Sequence, residues 1–164
     1  MDLNIHKATI DDARAISSIW KVICAEKIYT AVNIPFTSEQ ERTYIAQLSD
    51  REGIFLAEIK KQIVGFQSLD LWAKYTNSFD HVGVIGTFIL PNWRRNGIGE
   101  QLARFTINFA KLNRYEKIII YVRGSNNKAQ NFYKKLGFIK KGVLAKQVKL
   151  NGNYDDEIFM ELFL

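Results

Sequence analysis

The stretch from residue 81 to residue 112 decides the fold, and it reads HVGVIGTFIL, PNWRRNGIGE, QLARFTINFA and KL in consecutive blocks. The first block is apolar and rich in β-branched side chains, which predicts a buried strand. The later part repeats apolar residues at steps of four and three, which predicts one helical face formed by Ile98, Leu102, Phe105, Phe109 and Leu112. Between them lies a basic loop with two glycines, residues 94–99. Such a junction directs backbone N–H groups and the positive end of a helix dipole at one point, so it predicts a diphosphate site.

The length and composition indicate a globular protein. The chain has 164 residues, which predicts one domain over residues 1–164. Hydrophobic residues make up 47% and charged residues 24%, and this balance argues against disorder. The N-terminus lacks a signal-peptide pattern, and no apolar run approaches the ~20 residues of a membrane span, so we expect a cytoplasmic protein with no membrane partner. The single cysteine, Cys24, falls in a helical apolar pattern and is expected to be a buried structural thiol.

The chain is basic, with a formal net charge of +6 and a sequence pI of about 9.4. This charge fits either an anionic partner or a surface of solvated lysines. A nucleic-acid-binding surface would interleave aromatic residues with a basic stripe, whereas the aromatic residues here follow helix and strand periodicities. We therefore predict no nucleic-acid partner.

The first half of the chain predicts two helices and an antiparallel meander. A first helix is expected after Thr9 and Asp12, and a second from a capping box of Ser38 and Glu41 to about Leu48. Strands with short polar turns are expected at residues 3–8, 53–59, 62–72 and 81–90.

The pattern changes after the glycine loop. Residues 117–122 form an almost continuous apolar run, which suits a strand covered on both faces and parallel to its neighbour. A helix over residues 126–136 ends at Gly137, and strands over 138–150 and 154–164 are joined by a hairpin turn at Asn151-Gly152. The predicted fold class is α+β, with a mixed, largely antiparallel sheet of about seven strands and four helices on its faces.

Three motifs follow one another along this pattern. They are Arg-x-x-Gly-x-Gly at residues 94–99, Asn-x-x-Ala-x-x-x-Tyr at residues 126–133 and Gly-Phe at residues 137–138. With these motifs the chain resembles the GNAT superfamily of acetyl-CoA-dependent N-acetyltransferases, and the order of elements fits it from residue 3 to residue 164. The resemblance implies the GNAT fold, in which the sheet is splayed between central strands 4 and 5. The last hairpin is similar to that of bacterial acetyltransferases for amino acids and small amines.

The resemblance implies acetyl-CoA as co-substrate and no metal ion. The diphosphate would lie on the N–H groups of the glycine loop, with Arg94 or Arg95 pairing with phosphate oxygens. The pantetheine arm would enter the splayed gap, where a backbone N–H near Phe88 or Ile89 would polarise the thioester carbonyl. The predicted cofactor-binding residues are Thr87, Phe88, Ile89, Arg94, Arg95, Asn96, Gly97, Ile98, Gly99, Glu100 and Asn126.

Acetyl transfer to an amine needs groups that move protons. An alkylammonium acceptor must lose a proton before it attacks, and the leaving thiolate benefits from a proton donor. The resemblance assigns the donor to Tyr133, the predicted catalytic residue, although a tyrosine on this helix face also suits core packing. The base is left open among a water relay and four side chains, which are His81, Asp80, Glu58 and Asp70.

An acceptor pocket is expected from the first helix, the loop after it, the third strand and the last hairpin. The aromatic candidates for its wall are Trp20, Tyr29, Phe36 and Trp72. The carboxylate candidates for holding an ammonium are Glu26, Asp70 and Asp156.

The predicted function is acetyl transfer from acetyl-CoA to the primary amine of a small molecule, an amino acid or amine-like compound, in a ternary complex. A protein N-terminus or lysine is the alternative acceptor, and a non-catalytic acetyl-CoA-binding regulatory module is the alternative of another class. A dinucleotide-binding oxidoreductase is set aside, because its glycine loop belongs to an early βαβ unit and this loop follows antiparallel strands. Dimers are common in the superfamily, so the resemblance leaves a homodimer open.

Overall fold

The computed structural model describes residues 2–164, which form seven β-strands and four α-helices. The strands are β1 (Leu3–Lys7), β2 (Gly53–Ile59), β3 (Gln62–Leu71), β4 (Val82–Ile89), β5 (Lys117–Arg123), β6 (Ile139–Leu150) and β7 (Asn153–Phe163). The helices are α1 (Ala13–Glu26), α2 (Ser38–Gln47), α3 (Ile98–Leu112) and α4 (Asn127–Lys135). The predicted α+β class and element order are therefore confirmed. Within this described part, no helix is long and apolar enough to cross a bilayer.

The strands form one mixed sheet in the order β1-β2-β3-β4-β5-β7-β6. Neighbouring strands are antiparallel except for β4 and β5, which run parallel and share register partners over Val82, Gly83 and Val84 alone. Beyond Val84 these two strands separate. β4 stays paired with β3 as far as Ile89, and β5 stays paired with β7 as far as Arg123. The predicted splay between strands 4 and 5 is confirmed.

The sheet separates two cores, one on each face. We call the side covered by α3 and α4 the α3 face, where Tyr133 belongs to the buried cluster. We call the side covered by α1 and α2 the α1 face. There the Trp20 ring lies 5.5 Å from that of Phe66 and 4.3 Å from that of Phe88. Cys24 is buried in this second core, as predicted, and burial raises the pKa of its thiol.

Left-handed turn residues explain how consecutive strands reverse direction. Lys60 and Lys61 join β2 to β3 with φ angles of 49° and 64°, and Asn151 and Gly152 join β6 to β7 with φ angles of 49° and 83°. Two successive residues of this kind give the turn a twist that matches the twist of the hairpin strands. The hairpin predicted at Asn151-Gly152 is confirmed.

The start of α2 differs from the predicted capping box of Ser38 and Glu41. The cap is Thr37, whose Oγ1 accepts from the N–H of Gln40 at 3.2 Å, while Gln40 Oε1 accepts from the N–H of Thr37 at 2.8 Å. The sequence offers two suitable pairs one residue apart, so spacing alone could not choose between them. The observed register places Glu41 one turn before Tyr44, on the face that enters the core.

This register buries a carboxyl group. Glu41 is 4% exposed, and burial raises the pKa of its carboxyl, with the nearby Asp70 acting in the same direction. A carboxyl whose pKa rises on folding stabilises the fold below its unfolded-state pKa. That contribution is lost as the pH rises through the folded-state pKa.

We expect Glu41→Gln to stabilise the protein at about pH 8 by on the order of 1 kcal/mol, because glutamine resembles the uncharged carboxyl. The gain should shrink towards zero at about pH 4, where glutamate itself becomes protonated. Urea unfolding followed by circular dichroism measures both values. Glu39→Gln, at an exposed position of the same helix, is the control and should show no such gain. An equal gain at both pH values would contradict the assignment to a buried charge.

Candidate active site

A cleft with a volume of about 860 Å³ opens where β4 and β5 separate. It is bordered by the ends of both strands, the loop before α3, the helix α4 and the loop after α1. Basic side chains outnumber acidic ones along it, so its potential favours an anionic ligand. The basic residues are Arg94, Arg95, Arg123, Lys128 and Lys135, and the acidic ones are Glu100 and Glu157.

The backbone of β4 offers hydrogen-bond donors to this cleft. The N–H of Leu90 donates to the Val64 carbonyl at 2.9 Å, so the even-numbered residues of β4 direct their backbone groups to β3. Alternation then directs the N–H groups of Thr87 and Ile89 towards β5, which has moved away at this level. The same alternation directs the N–H of Phe88 to β3. Thr87 and Ile89 are therefore better placed than Phe88 to donate to a ligand in the gap.

The loop between β4 and α3 directs a second set of N–H groups outward. The first hydrogen bond of α3 joins the N–H of Gln101 to the carbonyl of Gly97 at 3.1 Å. The N–H groups of Ile98, Gly99 and Glu100 precede that bond and emerge from the positive end of the helix. An anion at this helix end can accept from several of them together.

Left-handed backbone shapes this loop. Gly97 has a φ of 76° and Arg95 a φ of 62°. A Cβ at Gly97 would meet no atom within 4 Å, so glycine is required there by the backbone conformation and not by lack of space. A Cβ at Gly99 would lie 3.3 Å from the Phe132 ring, so this second glycine lets α4 pack closely on the turn.

Arg94 is held by the protein itself. Its two Nη atoms donate to the two carboxylate oxygens of Glu26 at 2.7 and 2.6 Å, and its Nε donates to the Ile89 carbonyl at 2.9 Å. The guanidinium also lies 4.9 Å from the centre of the Tyr29 ring. This bidentate pair joins the end of α1 to the glycine loop. Within residues 2–164 the exposed side chain of Arg95 has no such partner, so it is the freer of the two predicted phosphate ligands.

The Tyr133 hydroxyl belongs to a chain of three polar side chains. Thr87 Oγ1 lies 2.7 Å from the Tyr133 hydroxyl and accepts from Nε2 of Gln67 at 2.6 Å. Because Gln67 donates to Thr87, the Thr87 hydroxyl can donate to Tyr133 and leave the tyrosine proton free for the cleft. Tyr133 is 4% exposed, and burial raises its pKa well above the ordinary value. The hydroxyl is therefore protonated at neutral pH and able to act as an acid.

Three attachments hold the loop after α1 over the cleft. Asn126 caps α4 by accepting from the N–H of Ala129 at 3.1 Å, and its Nδ2 donates to the Tyr29 carbonyl at 3.2 Å. Arg123 on β5 donates to the two carbonyls that precede Tyr29. The pair formed by Glu26 adds the third attachment.

Most of the predicted site residues border this one cleft. Those that line it are Thr87, Phe88, Ile89, Arg94, Arg95, Gly97, Gly99, Glu100, Asn126 and Tyr133. Ile98 is 1% exposed in the core of the α3 face, so it offers a ligand its N–H alone. Asn96 folds back, with its Nδ2 donating to the Arg94 carbonyl at 3.2 Å.

The predicted ammonium-binding carboxylates all have partners within the chain. Glu26 forms the pair described above. Asp70 accepts from the hydroxyl of Tyr44, and Asp156 accepts from the N–H of Lys146 at 2.8 Å. Neither Asp70 nor Asp156 is among the described residues that line the cleft.

The predicted aromatic wall is divided between the cleft and the α1 face. Tyr29 lines the cleft. Phe36 packs edge-on against Trp20, with ring centres 5.3 Å apart. Trp72 donates from Nε1 to the Tyr121 hydroxyl at 3.1 Å, and Tyr121 in turn lines the cleft.

A carboxylate that sequence reasoning missed does border the cleft. Glu157 on β7 lies there, whereas the described lining includes none of the four candidate bases, His81, Asp80, Glu58 and Asp70. Burial raises the pKa of the Glu157 carboxyl. The sequence did contain a signal for it. Glu157 lies within a predicted strand whose alternate residues, Ile158 and Met160, are apolar, so its side chain is expected on the opposite face of the sheet.

Sequence comparisons identify relatives of this chain. The model of the acetyltransferase (GNAT) family matches residues 21–138. An uncharacterized N-acetyltransferase of Methanocaldococcus jannaschii is 31% identical over 102 residues, which cover 62% of this chain and 45% of that protein. Spermidine N(1)-acetyltransferase of Escherichia coli K12 is 34% identical over 77 residues, which cover 46% of this chain and 41% of that protein. The chain thus spans less than half the length of these two relatives.

Solved structures share the fold over the whole chain. An N-acetyltransferase from Staphylococcus aureus Mu50 superposes with a TM-score of 0.91 at 20% identity, over 99% of both chains. A phosphinothricin acetyltransferase from Sinorhizobium meliloti, solved in complex with acetyl-CoA, superposes with a TM-score of 0.91 at 16% identity, over 100% of this chain and 89% of that one. The family match includes the glycine loop, Tyr133 and the Gly137-Phe138 pair. The chain therefore belongs to the acetyltransferase (GNAT) family.

Proposed function

We propose that this chain transfers an acetyl group from acetyl-CoA to the primary amine of a small molecule, by direct attack in a ternary complex. The observation that carries the proposal is the open gap between β4 and β5. Backbone N–H groups face that gap between a helix N-terminus and the Tyr133 hydroxyl. A junction with a purely structural role would instead have the two strands paired along their length.

The parts of coenzyme A occur in the same order as the hydrogen-bonding groups along the cleft. Its diphosphate would accept from the N–H groups at the start of α3, and Arg95 would add a guanidinium. The pantetheine arm would run down the gap, accepting from the N–H of Ile89 near the loop. The thioester would then lie at the level of Thr87, beside Tyr133, with the N–H of Thr87 directed at its carbonyl oxygen.

The residues at that level supply the chemistry of acyl transfer. An amine attacks the acetyl carbon, a C–N bond forms and the C–S bond breaks. The N–H of Thr87 stabilises the negative charge on the carbonyl oxygen, a contribution commonly worth about 3 kcal/mol. Tyr133 donates its proton to the leaving thiolate, and the Thr87 hydroxyl stabilises the tyrosinate that results.

A small amine is the proposed acceptor class. The relative named spermidine N(1)-acetyltransferase supports an amine acceptor. The loop after α1 is attached at three places and narrows access to the cleft, whose volume is in the range of small-molecule sites. Both features favour a small acceptor over a protein chain.

A panel of amines tests the proposed function. The protein is incubated with acetyl-CoA and alkyl diamines, polyamines, amino acids or a lysine-containing peptide, and the released thiol is measured by absorbance. We expect release with at least one small amine and none without an acceptor. Release with the peptide alone would reassign the acceptor to protein. Coenzyme A binding without release in any mixture would favour the non-catalytic module.

We expect Gly97→Val to weaken coenzyme A binding at least about tenfold, measured by isothermal titration calorimetry. A side chain at a φ of 76° costs about 1–2 kcal/mol, and relief of that strain would move the loop N–H groups. Gly152→Val is the matched control, because Gly152 has a φ of 83°, also has no atom within 4 Å of a built Cβ and lies in the turn between β6 and β7. Both variants should lose similar stability, and equal coenzyme A affinity in the two would refute the role of the loop.

We expect Tyr133→Phe to lower kcat about 100-fold while changing the Kd of coenzyme A less than about threefold, because the hydroxyl acts on the leaving thiolate. Steady-state kinetics and calorimetry measure the two quantities. Thr87→Val should also lower kcat, whereas Thr87→Ser keeps the hydroxyl and should retain most of the rate. Undiminished turnover in Tyr133→Phe would remove its role as the acid.

A further inference from the structure

The cleft passes through the sheet, and Glu157 borders it on the α1 face. Ile158 and Met160 of β7 belong to the core of the α3 face, so Glu157, which alternates with them, points to the other side. Tyr121 of β5 points the same way and lies beside it in the cleft lining. The glycine loop and Tyr133 thus meet the cleft at the α3 face, and Glu157 meets it from the opposite face.

The cation closest to Glu157 in the sheet register is already bound. Arg123 lies directly opposite Glu157 on β5. Its Nε donates to Asp155 at 2.9 Å, and its Nη1 donates to the carbonyls of Lys27 and Ile28 at 3.3 and 2.8 Å. Among residues 2–164, no side chain forms an ion pair or hydrogen bond with Glu157. The position therefore holds a half-buried negative charge that lacks a cation.

Two carboxyls on one face of β7 have opposite environments. Burial acts to raise the pKa of Asp155, but hydrogen bonds from Ser125 and Arg123 outweigh it and hold that pKa below its usual value. Burial raises the pKa of Glu157, and nothing offsets it. Neighbouring acids whose environments separate their pKa values are a feature of acid–base sites. A carboxylate with a raised pKa is also the better proton acceptor.

Resting on the acetyl transfer proposed above, we propose that Glu157 binds the protonated primary amine of an alkylamine acceptor and removes its proton. The ammonium supplies the cation that Glu157 lacks. One N–H bond of the ammonium breaks and the proton passes to the carboxylate. The freed lone pair then forms the C–N bond, and the C–S electron pair leaves with sulfur, which takes the proton of Tyr133. The new amide nitrogen gives its second proton to the tyrosinate through water, and Glu157 releases its proton to solvent.

The same geometry disfavours an acceptor with a carboxylate beside its amine. Arg123, the arginine directly opposite Glu157 in the sheet, is already paired with Asp155. A carboxylate placed near Glu157 would therefore meet a negative charge and no free guanidinium. Alkylamines and polyamines are preferred over α-amino acids on this basis.

Two acceptors of different charge test the role of Glu157. Butylamine is protonated at neutral pH, whereas aniline is not. We expect Glu157→Gln to lower kcat/KM for butylamine about 100-fold and for aniline less than about threefold. Glu157→Asp keeps the carboxylate, so its kcat/KM for butylamine should lie between those of the unmodified protein and Glu157→Gln. Glu116→Gln makes the same chemical change at an exposed position, and its kcat/KM for both amines should equal that of the unmodified protein. An undiminished rate with butylamine, or an equal loss with both amines, would overturn the inference.

Binding of butylamine separates this inference from the proposed function. Calorimetry is performed on protein saturated with coenzyme A, after thermal unfolding has shown that Glu157→Gln is folded. We expect butylamine to bind at least about tenfold more weakly to the variant, because the ion pair is lost. Weaker binding in the variant supports the role of Glu157 in holding the ammonium. If the unmodified protein binds butylamine in this way but transfers no acetyl group, the proposed function fails and the binding site remains. No binding of butylamine, or equal affinity in both proteins, overturns the inference.

Discussion

The separation of β4 and β5 after three paired residues is the constraint on which the site depends. Each strand keeps its outer partner, so the sheet remains continuous while its inner edges part. Parting leaves the N–H groups of Thr87 and Ile89 without strand partners, and a backbone donor that is denied a partner costs free energy. The fold therefore prepares a row of donors whose natural complement is an extended ligand that carries carbonyl oxygens. At the end of that row, the free N–H groups at the start of α3 are donors of the same kind, and a phosphate is a suitable acceptor for them.

Recognition is divided between backbone and side chains. On the α3 face the donors are N–H groups, and their placement depends on the left-handed Gly97 more than on any particular side chain. The conserved chemistry of a coenzyme suits such a surface. On the α1 face the cleft is lined by Tyr121 and Glu157, and the acceptor selection proposed above rests on Glu157. Arg94 was a predicted phosphate ligand, but it attaches the loop after α1 instead, and Arg123 does the same from β5.

The fold could be predicted from the sequence because each strand and helix is indicated by residues close together in the chain. Apolar periodicity located the strands and helices, and the late glycine loop indicated the phosphate-binding end of β4. The partners of individual carboxylates could not be predicted in this way. Glu26 lies 68 residues from Arg94 in the chain, and only the packing of α1 beside the glycine loop brings them together. Asp70 likewise accepts from the hydroxyl of Tyr44, 26 residues away in the chain. Glu157 lies within the strand predicted over residues 154–164, but its position at the cleft could not be read from that pattern.

The two proposed proton-transfer groups differ in how much solvent reaches them, and the difference matches their roles. Tyr133 is almost fully buried and its hydroxyl lies 2.7 Å from Thr87 Oγ1, so the proposed acid is held in a fixed position. Glu157 is only half-buried, which leaves it a path to return a proton to solvent after each turnover. A fully buried base would need a water relay to release that proton. An acid that was fully exposed would gain little from a fixed hydrogen-bond chain. Placing the acid inside the α3 core and the base at the rim of the α1 face satisfies both requirements with one sheet.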